Sequence, residues 1–225
     1  MNPRASVGYG ARESELKDLN KALEFYQKAY QLVVTTHPER AASLNLDVAE
    51  IYWNQGRFKD AIVKANEALE YYKRLKDELN EAGALISLAE GQRSGGDLQA
   101  AANSLRLAEP LVVRAKNFYT TGRLYYGQAG LLRKQGQFKE AIDKYERVIG
   151  MLEQFKTTSN TANRRFISEA YSFIYDELID TYYSLGVADK QDASLSAEKA
   201  LEYTELNKSR VFANAWGLEI GRAHV

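Results

Sequence analysis

Three glycines, Gly56, Gly96 and Gly136, stand forty positions apart in this chain. Each opens a similar phrase. Gly56-Arg57-Phe58-Lys59-Asp60-Ala61-Ile62 returns as Gly136-Gln137-Phe138-Lys139-Glu140-Ala141-Ile142, with Gly96-Asp97-Leu98-Gln99-Ala100-Ala101-Ala102 between them. Self-similarity at a period of about 20–50 residues marks architectures built by stacking one supersecondary unit on the next. Such a chain grows by adding units, not by enlarging one core.

The apolar spacing says what the unit is. Residues 41–55 carry Leu44, Val48, Ile51 and Tyr52 at helical spacing, and residues 58–74 carry Phe58, Ala61, Ile62, Ala65, Ala68, Leu69 and Tyr72. Gly56 falls between the two runs, where a helix end favours a left-handed residue. A connection of two or three residues makes the helices antiparallel neighbours. Ala61 and Ala68 then mark the positions of closest helix approach.

The same unit is expected at residues 77–116 and 118–155, after a lone helix over 13–34. Pro110 lies deep in one second helix and predicts a kink or an early end there. Residues 1–12, rich in Gly and small polar residues, are expected to be irregular. Beyond Phe155 the register changes. A polar break (156–163), a long helix (164–185), a turn at Gly186, an inserted loop (187–194) and a last helix (195–216) are expected.

Composition narrows the function classes. Thirty basic residues balance thirty acidic ones, so no net field favours nucleic acid or an anionic membrane. The chain has no Cys and two His, which leaves no thiolate nucleophile and too few ligands for a His/Cys metal site. The missing cysteines are compatible with a cytoplasmic location. No phosphate loop, nucleophile or metal cluster is visible, so the expectation is a non-enzyme that needs no cofactor.

The combined pattern resembles the tetratricopeptide repeat (TPR). The residues are Val48, Ala49, Tyr52, Gly56, Phe58, Ala61 and Ala68 in one unit. The next has Leu88, Ala89, Gln92, Gly96, Leu98, Ala101 and Ala108, and a third has Ala129, Leu132, Gly136, Phe138, Ala141 and Val148. The usual TPR period is 34 residues, and Gln92 and Leu98 stand where aromatics are usual. The resemblance implies an all-α fold, a right-handed α-solenoid of stacked antiparallel hairpins. It also implies a scaffold that binds a protein or peptide segment on its concave face through the first helix of each hairpin. Aligning the units on that face gives Leu46, Glu50, Trp53, Asn54, Ile86, Glu90, Arg93, Arg123, Tyr126, Arg133, Lys134, Asp176, Asp180 and Tyr183. Along the groove they read acidic, then basic, then acidic, with Trp53 and Tyr126 as candidate anchors.

Two features concern the end of the chain. Residues 200–210, ALEYTELNKSR, resemble the last TPR helix before the caspase-like CHAT protease domain of certain bacterial proteins. That implies a sensing or recruiting region for a downstream effector. A TPR segment of a signalling ATPase or a transcription regulator would show the same repeats. Residues 219–225, EIGRAHV, read like a translated sequencing-library adapter, which leads us to expect a reading frame cut short near that point.

Overall fold

The computed structural model describes the backbone of residues 3–158 and 172–216 and the side chains of residues 18–155 and 172–208. Every element among them is helical: α1 (Pro3–Val33), α2 (Pro38–Asn54), α3 (Phe58–Leu75), α4 (Glu78–Ser94), α5 (Leu98–Ala115), α6 (Phe118–Lys134), α7 (Phe138–Thr158), α8 (Ser172–Ala188) and α9 (Ala193–Trp216). The chain forms two compact units, Met1–Leu124 and Tyr125–Val225. The expected all-α fold of stacked helical hairpins is what is found.

The forty-residue glycines do what their spacing implied. Gly56, Gly96 and Gly136 have φ of 74°, 92° and 77°, in the left-handed region. At each, two backbone bonds close the helix in the same way. Gly56 N–H donates to Trp53 and Arg57 N–H to Tyr52; Gly96 to Arg93 and Asp97 to Gln92; Gly136 to Arg133 and Gln137 to Leu132. These are Schellman closures, in which the left-handed residue satisfies carbonyls the helix would otherwise leave open. The turn leading out of α3 closes with the same pair of bonds without glycine, and that out of α5 with a single bond from Lys116 N–H to Val112. Lys76 (φ 57°) and Lys116 (φ 49°), again forty apart, sit left-handed. Asp77, Asp97 and Asn117 then cap the following helices, their side-chain oxygens accepting from the N–H of Asn80, Ala100 and Thr120 at 3.2, 2.9 and 3.0 Å.

Within the first unit, α2 packs on α3, α3 on α4, α4 on α5, and α2 also touches α4. The core is the small-residue ladder expected: Ala61, Ala68, Ala101 and Ala108 are all buried. At the close crossing of α3 and α4, a Cβ on Gly91 would stand 3.0 Å from Ile62 Cγ1. Gln92, in an aromatic's place, is accommodated because Ser104 Oγ of α5 donates to its Oε1 at 2.8 Å. In the second unit, Ala129, Ala141, Tyr145, Val148, Tyr175, Leu178, Tyr182 and Ala200 share one core across α6 to α9. Tyr182 and Tyr203 stack at 6.0 Å and both donate to Glu146 Oε1, at 2.7 and 3.0 Å. Burial, then that carboxylate, pushes both phenols above their usual pKa.

Four expectations need correction or restriction. The backbone is already helical from Pro3, not irregular to Arg12. Pro at a first helical position is favourable, and Gly8 and Gly10 cost only about 1 kcal/mol each against their helix-forming neighbours. Helix α5 runs through Pro110 to Ala115. Pro110 and Arg106, whose carbonyl loses its partner, are both exposed, so water can satisfy that group. Gly186 is not a turn residue; it lies inside α8, with no positive φ. It is small because α9 comes close: a Cβ there would meet Ser196 Cβ at 3.2 Å and Ala193 Cα at 3.4 Å. The turn follows at residues 189–192, where Gln191 N–H donates to Asp189 Oδ1 at 3.0 Å. The expected polar break does not begin at 156, because α7 continues to Thr158; the rest of it, the start of the long helix and the adapter-like tail lie outside the described residues.

The left-handed positions give a paired prediction. Gly136→Ala forces a Cβ into the left-handed region and is expected to lower stability by about 1–2 kcal/mol. Lys116→Gly relieves the same strain and is expected to raise it by about 1 kcal/mol. Urea unfolding monitored by circular dichroism measures both.

Candidate functional site

Hairpin packing leaves one face of α2, α4, α6 and α8 outside the core, and the candidate residues lie on these helices. In the first unit Glu50 and Asn54 are exposed, and Leu46, Trp53, Glu90, Arg93 and Arg123 are half-buried. Ile86 is a correction: it is fully buried. It corresponds to Leu46, but α4 is flanked by α2, α3 and α5, which cover even its groove-ward position. A partner on the surface does not reach it.

Several of these side chains are already engaged with one another. Trp53 Nε1 donates to Ser94 Oγ at 2.7 Å, tying α2 to the end of α4. Arg123 donates to Ser87 Oγ at 2.9 Å and pairs with Glu90 at 3.4 Å. Its guanidinium also lies 5.9 Å from the centre of the Tyr119 ring. Burial works against the Arg123 charge, but Glu90, Tyr119 and Glu50 outweigh it and raise the pKa above the usual value. The acidic and basic stretches expected along this part of the groove therefore neutralise each other. Arg93 Nε, in contrast, is buried with no hydrogen-bond partner among the described residues.

In the second unit Arg133 is bonded to Glu177 and lies 3.6 Å from Asp180, bridging α6 to α8. Tyr145 donates to the same Glu177 carboxylate at 3.3 Å. Sequence reasoning missed Glu177, because 133 and 177 are forty-four apart and the repeat register no longer applies. Tyr126 meets Tyr145 and Phe173 edge-on, at 6.0 and 5.5 Å. Asp176 accepts from Asn207 Nδ2 at 3.1 Å. Lys134 and Tyr183 are exposed. These arrangements can hold a partner through hydrogen bonds and aromatic faces. Among the described residues no group of three or more His, Cys, Asp or Glu is placed to hold a metal. No described helix is long and apolar enough to cross a membrane.

Comparison with known proteins agrees on the fold. No family model matches the chain, and no curated protein sequence does. Among solved structures, a Rap protein complexed with Competence and Sporulation Factor superposes with a TM-score of 0.69 at 15% identity, over 92% of this chain and 53% of that one. The chain thus spans about half the length of that Rap protein. MamA protein superposes with a TM-score of 0.50 at 19% identity, over 96% of this chain and 93% of its own. The class defined is an all-α, TPR-like helical repeat.

The ion pair makes a prediction that the repeat pattern alone does not. Arg133→Glu places a third carboxylate beside Glu177 and Asp180 and is expected to cost about 1–3 kcal/mol. Lys134→Glu, exposed next to it, is expected to change stability by less than about 0.5 kcal/mol. Chemical denaturation of the two single variants separates them.

Proposed function

We propose that the chain is a non-catalytic scaffold that binds a protein or peptide segment along the exposed faces of its first-of-hairpin helices. One observation carries the reading. In each hairpin the apolar stripe of the second helix and the inner face of the first are spent in packing. The outer faces of α2, α4, α6 and α8 are left with polar and aromatic side chains instead of further core. Helices joined this way form rigid platforms, and ordered side chains on a platform bind at low entropic cost. The fold-level likeness to a Rap protein complexed with a factor supports the same reading. Of the exposed members, Asp176 and Asp180 are engaged with Asn207 and Arg133, and Glu50, Asn54, Lys134 and Tyr183 remain to meet a partner, with Trp53 and Tyr126 as half-buried anchors.

In a larger protein such a scaffold would recruit a partner for an effector. The ALEYTELNKSR segment supports a caspase-like CHAT protease as that effector. In the present fold its Tyr203 packs against Tyr182 and Glu146, and it has a structural role whatever follows.

The test is selection of peptides from a displayed library on the whole chain, followed by affinity measurement on variants. Glu50→Lys combined with Asn54→Ala, both in the first unit, should weaken peptides that bind this unit at least about tenfold. Melting temperature should stay near that of the parent. Unchanged affinity would place binding elsewhere.

A further inference from the structure

The first unit holds a cavity of about 560 Å3 where α1, α2 and α3 meet. Its floor includes Val48 and Tyr52 of α2, with Tyr30 of α1 beside them. On α2 the side chains facing it are Asn45, Val48 and Tyr52, spaced i, i+3 and i+7 along one face. At about 100° per residue, Leu46, Glu50, Trp53 and Asn54 project from the other side of the same helix. The cavity is therefore separate from the groove proposed above.

Asn45 is the residue out of place. It is only 6% exposed, and its side chain has no hydrogen-bond partner among the described residues. Forty positions on, the repeat puts Leu85, itself buried, and forty further Tyr125. The position is thus a packing site that here carries a bare amide. Neither of its polar atoms is among the enclosed ones left without a partner, so the amide is open to the solvent of the cavity it lines. The group offers two donors and two acceptor lone pairs to whatever enters the cavity it lines.

The surroundings narrow what would satisfy it. The rim carries Glu24 and Lys28 in opposition, and Lys64 is already paired with Glu67 at 2.7 Å. No excess of either charge selects an ion. A neutral amide flanked by an apolar floor fits a neutral ligand with one donor and one acceptor next to an apolar group. A peptide main chain presents that combination at each apolar residue.

We infer that this cavity is a second peptide-binding site, which takes an apolar residue of an extended segment. Asn45 Oδ1 accepts from that residue's N–H, and Nδ2 donates to its carbonyl. Val48, Tyr52 and Tyr30 cover the apolar side chain.

The test is titration of the isotope-labelled whole chain with N-acetyl-leucinamide and N-acetyl-phenylalaninamide into the millimolar range, followed by NMR. The expected result is a saturable shift of the Asn45 side-chain amide and the Val48 methyls. Asn45→Leu, which restores the repeat's packing residue, is expected to melt above the parent and to bind at least about tenfold more weakly. Asn45→Ala, which removes the amide without adding bulk, should lose binding likewise. Glu50→Lys, on the groove side, should bind the probes as the parent does. A parent titration with no saturable shift at Asn45 means the cavity holds only water, and overturns the inference. Undiminished binding by Asn45→Leu or Asn45→Ala overturns it as well.

Discussion

The close approach of neighbouring helices through small side chains is the constraint on which the structure depends. Ala61, Ala101 and Ala141 are almost completely buried at the same step of each repeat, and a Cβ on Gly91 would crowd Ile62 Cγ1 at 3.0 Å. Helices that pack this tightly must reverse sharply at their ends, and the left-handed glycines allow it. Small residues at the crossing and glycine at the turn are two parts of one requirement. The forty-residue period records that requirement more than any function.

Once the hairpins are packed, the distribution of chemistry follows. The second helices spend their apolar stripes inward, and the first helices keep one face for other uses. That face is less charged in effect than its composition implies. Arg123 is matched by Glu90, and Arg133 by Glu177 and Asp180. Partly buried pairs of this kind specify how a hairpin sits on the next while leaving little net field. Under the proposed function, recognition would rest on exposed polar groups and aromatic faces. Asn45 departs from this economy, since it is buried, polar and unmatched within the described residues.

Much of the fold was legible because repetition averages out local noise. Gly56, Gly96 and Gly136 were readable as turns since each was seen three times, and the alanines likewise. Features that occur once, or that break the register, were not. Lys76 and Lys116 carry no sign of left-handed geometry, because lysine is an ordinary helix-end residue and only the tight reversal forces φ positive. Gly186 looked like a fourth turn, but its smallness serves α9. For the candidate site, periodicity carries no information on depth: Ile86 shares Leu46's register yet is fully buried. Glu177 was invisible because its partnership with Arg133 crosses the point where the period fails.

The measurement that bears most directly on the central claim is the stability of leucine substitutions at two matched sets of positions. Ala61→Leu, Ala101→Leu and Ala141→Leu each add bulk where helices approach most closely, and should each cost about 1–3 kcal/mol in chemical unfolding. Lys59→Leu and Gln99→Leu, on the exposed side of the same turns and without a side-chain partner among the described residues, should each change stability by less than about 0.5 kcal/mol. Equal losses in the two sets, or no loss at the alanines, would contradict the claim that close helix approach is what the repeat encodes.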